Sequence, residues 1–331
     1  MDNQFHWPIL GQEFVKQYLQ KEIICSQFAH AYIFTGLSHL GKKTVAEYFA
    51  ASINCQNKKI ARPCWQCASC IQIQKRTHPD VIFIQKSEDK SKILIGQIRE
   101  LQRRLSLKSF ITKFKVAIIS DSEFLNEESA NSLLKTIEEP YPNTIFILTV
   151  VDQKQLPLTI TSRCQLIKFN SVPTYKIENW LISQNLSQQK ATTIAGLANG
   201  CPGLASILLN NQDLIVQSEN QALGFISLLK ANINEKIIGV NELVGKNNEN
   251  NKENIINTLE IWLSLIKDIL YLRNGQPVVT FKNLKNKTSQ ISSAMDNNKI
   301  IKLGLNLLKL ISDINKNVNS RLALENFLVN I

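Results

Sequence analysis

The chain has 331 residues, enough for two or three domains with separate cores, and no apolar run reaches the ~18 residues that a membrane-spanning helix needs. The opening Met1-Asp-Asn-Gln-Phe-His-Trp-Pro-Ile-Leu10 lacks a basic segment followed by an apolar one, so a cytoplasmic protein with no membrane contact is expected. Its 38 Lys and Arg against 27 Asp and Glu give a formal charge of +11, which suits an acidic partner such as nucleic acid, although a compositional bias toward Lys, Asn and Ile explains the same excess.

In chain order, short β-branched runs come first. Tyr32 to Thr35, Val81 to Gln85, Val116 to Ser120, Thr144 to Val150 and Gln165 to Phe169 predict strands, separated by helical periodicities, which is the pattern of a parallel sheet with helices on both faces. One such helix spans Ile93 to Leu107 and carries Arg99, Arg103 and Arg104, with Lys108 just beyond. Those cations could track DNA phosphates or form an ordinary solvated face. From Phe124 to Pro140 the period is 3.6. Ala130, Leu133, Leu134 and Ile137 share a face, Asn126 is placed to cap the start, and Pro140 ends the helix. Beyond Pro173 the strand signal fades. Helices are expected at Pro173 to Gln184, at Ser187 to Ala198 and from Pro202, and the rest is helical, broken by loops at 246–253 and 274–277.

Two motifs lie side by side near the N-terminus. Cys55, Cys64, Cys67 and Cys70 combine a Cys-x2-Cys-x2-Cys trio with a fourth cysteine nine positions upstream. In a reducing compartment such a set reads as four thiolates on one tetrahedral zinc, a closed and therefore structural site. Just before it, Gly36-Leu-Ser-His-Leu-Gly-Lys-Lys-Thr44 follows a strand and opens a helix, the setting of a phosphate loop. Gly36, Gly41, Lys42 and Thr44 are the candidate nucleotide-binding residues. Yet His39 and Leu40 occupy positions usually given to glycine, Lys43 stands where a magnesium-binding hydroxyl belongs, and Thr44 comes one residue late. Binding of ATP here and a purely structural loop are both open. Asp121 ends the strand at Val116 as a Walker-type metal ligand would, but Ser122 follows it where a hydrolysing enzyme needs Glu, with Glu123 one step further on.

Taken together, the cysteine cluster, Asn131-Ser-Leu-Leu-Lys-Thr-Ile-Glu-Glu-Pro140 and Leu156-Pro-Leu-Thr-Ile-Thr-Ser-Arg-Cys164 resemble the bacterial DNA polymerase III clamp-loader subunits of the AAA+ class, in that order and at similar separations. The resemblance implies an α/β AAA+ domain with an inserted zinc module at 1–172, a small helical lid at 173–210 and an all-α oligomerisation collar at 211–331, in which Trp262 to Leu270 looks like a collar helix. It also implies a hetero-pentamer with gamma/tau and delta subunits that opens a sliding clamp and places it on primed DNA. Within this family the motor subunits keep an intact phosphate loop, whereas here Leu204 stands where they have a sensor arginine, and Val150 and Val151 where they have a polar sensor. These departures imply the delta-prime type, which does not itself hydrolyse ATP. Ser162-Arg163-Cys164 is intact, and the resemblance makes Arg163 an arginine finger lent to a neighbour's ATP. Two alternatives remain: an active gamma/tau-type ATPase, and a zinc-bearing nucleic-acid-binding protein outside replication.

Overall fold

A computed structural model describes residues 4–57, 59–86, 92–245, 252–276, 280–316 and 318–330. The chain divides into two compact units, one running up to Val172 with Cys201–Gly203 added, the other formed by Pro173–Gly200 and Leu204–Ile331.

The first unit runs α1 (Glu13–Cys25), β1 (Ala31–Thr35), α2 (Lys42–Ile53), α3 (Ala68–Gln74), β2 (Val81–Ile84), α4 (Ile95–Ser106), β3 (Lys115–Ile119), α5 (Glu127–Glu138), β4 (Thr144–Val150), α6 (Leu158–Thr161) and β5 (Gln165–Lys168). All pairings are parallel and the order is β2-β3-β4-β1-β5, with Ile33 opposite both Leu148 and Leu166. The three inner strands are buried along their whole length, which is why they read as unbroken apolar runs rather than as an alternation. Tyr32 shows how a polar atom is accommodated there: its hydroxyl donates to Glu22 Oε2 at 2.6 Å and accepts the Ala29 N–H at 2.8 Å, so full burial leaves nothing unsatisfied.

The five expected strands all form, with ends moved by a residue. The third runs from Lys115 to Ile119 rather than to Ser120, because Asp121 adopts a left-handed backbone (φ 54°) and opens a 3-10 turn over Ser122–Phe124. The following helix therefore begins at Glu127. Asn126 caps it by accepting the Ser129 N–H at 2.8 Å, and Ala130, Leu133 and Ile137 face the core as the periodicity predicts.

The second unit holds α7 (Thr174–Ser183), α8 (Gln188–Leu197), α9 (Pro202–Asn210, whose first residues belong to the first unit), α10 (Gln212–Lys230), α11 (Ile233–Val244), α12 (Lys252–Arg273), α13 (Lys285–Ala294), α14 (Asn297–Asn315) and α15 (Ser320–Val329). It has no strand among the described residues. Trp262 on α12 lies buried and stacked on Phe225 of α10, ring centroids 4.4 Å apart. The loop expected at 246–253 stops short of Lys252, which already starts α12. Its residues 246–251 lie outside the described residues, as does Pro277 of the second expected loop. No helix among the described residues is long and apolar enough to cross a membrane.

Candidate functional site

The cysteines come together as the spacing predicts. The thiol sulfurs of Cys55, Cys64, Cys67 and Cys70 all lie within 4.8 Å of one another, and Cys64 Sγ is 3.9 Å from Cys70 Sγ. Four sulfurs bound tetrahedrally at ~2.3 Å stand about 3.8 Å apart, so this cage has the size and donor set of a zinc site. Local structure explains the approach. Cys67 caps α3, its sulfur accepting the Cys70 N–H at 3.5 Å, while Cys64 Sγ accepts the Cys67 N–H at 3.3 Å. Burial pushes the Cys67 thiol up, but the Cys70 and Gln56 N–H groups and the neighbouring Cys64 and Cys70 thiols outweigh it and bring it down to about 7. Burial raises Cys55 and Cys70. Behind the cage, buried Ser69 is 3.1 Å from His78 Nε2, and the Asp80 N–H donates to His78 Nδ1 at 3.0 Å. Burial holds that imidazole below its usual range, so it is a neutral strut between α3 and the loop entering β2.

The phosphate loop has the expected backbone but a different interior. Gly36 sits at φ 146°, and a Cβ there would come within 2.6 Å of the Phe169 carbonyl, so only glycine fits. Gly41, at φ 87°, precedes the first turn of α2. Lys42 is buried, and its ammonium turns back to donate to the carbonyls of Gly36 and Leu37, the latter at 2.8 Å. Burial lowers its pKa, against the pull of Glu123 and Asp121. Leu40 is buried in the core, which ties the loop down where a glycine would leave it free. The His39 carbonyl accepts the Gly203 N–H at 2.8 Å, so the start of α9 is hydrogen-bonded to the loop within this unit.

Around Lys42 the remaining candidates separate. Thr44 and Asp121 are exposed, and Lys43 donates to Gln85 Oε1 at 2.9 Å. Glu123 is the residue that sequence reasoning set aside. Because the chain already turns at Asp121, Glu123 lies close enough to Lys42 for their charges to interact, and one of its carboxylate oxygens is buried without a hydrogen bond. Burial raises its pKa, the Asp121 charge adds to the rise, and its own backbone N–H, Lys42 and the Val151 N–H oppose it.

Arg163 follows the short helix α6. Its guanidinium pairs with Glu138 Oε1 at 2.8 Å and donates to the Thr159 carbonyl at 3.0 Å, with 42% of the side chain exposed. Cys164 beside it packs against the core, and burial pushes its thiol up to about 12. Of the cations considered for DNA, Arg99 and Lys108 are exposed, Arg103 is paired with Glu100 at 2.7 Å, and Arg104 donates to the Pro79 carbonyl at 3.2 Å.

Residues 11–173 match the family described as DNA polymerase III, delta subunit. Among curated proteins the chain is 34% identical over 169 residues to DNA polymerase III subunit tau of Bacillus subtilis, covering 51% of this chain and 30% of that one. It is 32% identical over 198 residues to the delta-prime subunit of the same organism, covering 60% and 59%, and 33% identical over 178 residues to the gamma subunit of Buchnera aphidicola from Acyrthosiphon pisum, covering 54% and 48%. The chain thus spans between about a third and three fifths of the length of these relatives. Both subunit types recur among them, so over residues 11–173 this chain matches the delta-prime and gamma/tau subunits of DNA polymerase III.

Proposed function

We propose that this chain is a delta-prime-type clamp-loader subunit: a cytoplasmic, largely non-hydrolysing member of a hetero-pentamer with gamma/tau and delta subunits, which opens a sliding clamp and loads it onto primed DNA. The observation that carries the reading is the position of Lys42, whose ammonium is spent on the carbonyls of its own loop, with no hydroxyl beside it to hold magnesium. Arg163, in contrast, is at the surface with its guanidinium held in a fixed direction, as a finger reaching a neighbour's γ-phosphate must be. Cys55, Cys64, Cys67 and Cys70 hold one structural zinc ion. The three-part organisation, an AAA+ domain at 1–172, a lid at 173–210 and a collar at 211–331, belongs to the same proposal.

A second reading, the gamma/tau-type ATPase, is favoured by Glu123, a carboxylate near Lys42 where a water-orienting group could act, and by the motor subunits among the relatives. The two readings diverge in one assay. The purified chain alone should show no steady ATP turnover, and clamp loading by gamma/tau and delta subunits should depend on its addition. Turnover by the isolated chain that disappears in Lys42→Ala would establish the motor reading instead.

A further inference from the structure

Helix α3 ends in a hydrogen-bonded reversal: the Arg76 N–H donates to the Ile73 carbonyl and the Thr77 N–H to the Gln72 carbonyl, each at 2.9 Å. This puts Arg76 in the left-handed region, φ 58°, at the position where helices most often carry glycine. Here the residue is arginine, and its side chain is fixed twice over. Its Nη2 donates to Glu47 Oε1 of α2 at 3.0 Å, and its guanidinium carbon lies 5.2 Å from the ring centroid of Phe83 on β2. A second guanidinium, that of Arg104 on α4, is fixed by one bond from Nη2 to the Pro79 carbonyl at 3.2 Å. The remaining nitrogens of both groups have no hydrogen-bond partner among the described residues, and 43% of the Arg76 side chain is exposed.

Both arginines line a cleft of about 440 Å³, together with Thr77, His78 and Phe83. The backbone of β2 is already covered: the Pro79 and Gln85 carbonyls accept from Arg104 and Gln97, and Val81 is buried. Any ligand must therefore be held by side chains. The lining has two cations and no carboxylate. Glu47 offsets part of the Arg76 charge, Glu100 is taken by Arg103, and Asp80 is spent on the N–H groups of Phe110, Ile111 and Thr112. Lys43 adds a further cation beside the cleft, donating to Gln85 Oε1 at 2.9 Å; burial and then the Arg76 charge lower its pKa.

We propose that this cleft binds a terminal phosphate monoester, with Arg76 and Arg104 donating to its oxygens and the organic body beside Phe83. A carboxylate is satisfied by one arginine, whereas a monoester has close to two charges and three acceptor oxygens, enough for two guanidiniums from different elements. The cleft is larger than a phosphate group, which leaves space for what the group is attached to. The monoester can come from a free nucleotide or from the 5′ end of a nucleic-acid strand, which share this chemistry. The site uses no residue of the phosphate loop, so it stands whether the chain is a stator or a motor.

The test is calorimetric titration of the full chain with thymidine 5′-monophosphate at about pH 8, where the monoester is doubly charged. Binding should saturate, thymidine should not bind, and Arg76→Gln and Arg104→Gln should each weaken the nucleotide by about tenfold, the effect of losing one charge-assisted hydrogen bond. The methyl ester of the same nucleotide, with one charge fewer, should bind about tenfold more weakly; this comparison leaves the protein unchanged and so guards against variants that misfold. A preference of about tenfold for a 5′-phosphorylated oligothymidylate over the same strand with a 5′-hydroxyl assigns the monoester to a strand end, and equal binding of the two strands assigns it to a free nucleotide. The proposal is overturned if thymidine monophosphate shows no saturable binding, if its methyl ester binds equally, or if both arginine variants bind it as the parent protein does. The last result would place the nucleotide in the phosphate loop.

Discussion

Arg163 is anchored by the Glu138 carboxylate at the end of α5, by the Thr159 carbonyl one turn back and by the Ser162 hydroxyl beside it. A half-exposed ion pair of this kind contributes ~0–1 kcal/mol to stability, so its role is to hold a long side chain in one direction rather than to hold the fold. If Arg163 is the trans finger, Arg163→Ala should leave folding and assembly nearly unchanged while slowing ATP hydrolysis at the adjoining site by at least about tenfold and by up to the ~10³ to 10⁵ that such fingers can contribute. Arg163→Lys should restore little, since an ammonium on a flexible stem cannot reproduce the planar fork. The measurement needs a complex in which only the site facing this subunit can hydrolyse. Normal turnover there with Arg163→Ala would reduce Ser162-Arg163-Cys164 to a turn. Glu138→Gln should cost less than about 1 kcal/mol in stability, yet lower the same turnover in part, because it frees the guanidinium to rotate.

At the level of elements, α3 ties the cysteine cage to the sheet. Cys67 starts the helix, Cys70 lies one turn in, and Ser69 between them meets His78 at the entrance to β2. The cage also lies beside Trp65, whose ring meets Tyr48 of α2 edge-on with centroids 5.0 Å apart. If the four thiolates hold zinc, metal analysis of unchelated protein should find one equivalent, and Cys67→Ser should lose most of it. The same variant should alter Trp65 emission while far-UV dichroism stays close to that of the parent protein, because the strands bury their own core and do not need the ion to pair. Full metal content in Cys67→Ser would show that the ligands are misassigned. Elements of this kind were legible in the sequence because each carries its cause locally: β-branched runs for the strands, Asn126 and Pro140 for the ends of α5, cysteine spacing for the cage. What could not be read were contacts between distant residues. Nothing near Arg163 announces Glu138, nothing in the phosphate loop shows that Lys42 folds back on it, and the spacing after Asp121 places Glu123 away from the loop unless one knows that the strand has already ended.

For the molecule as a whole, the two units have different kinds of core. One is a parallel sheet whose inner strands are buried on every residue; the other is a set of helices centred on Trp262, with Asp268 fully buried and accepting the N–H groups of Thr280 and, at 2.8 Å, Phe281. All four cysteines of the cage, and every residue named as touching it, lie in the first unit. Metal bound there can stabilise only the equilibrium in which the cage is lost, by an amount set by its affinity. Calorimetry of the full chain should therefore resolve two transitions, since chains of this size with separate cores depart from two-state unfolding. A chelator should lower one of them and leave the other within about 1 °C, an expectation that follows from the cage having no share in the second core. Cys67→Ser should reproduce the chelator's shift and make further chelation silent. A single transition that moves as one body on chelation would mean that the units unfold together, and the metal would then be stabilising the helical half through the first unit rather than the first unit alone.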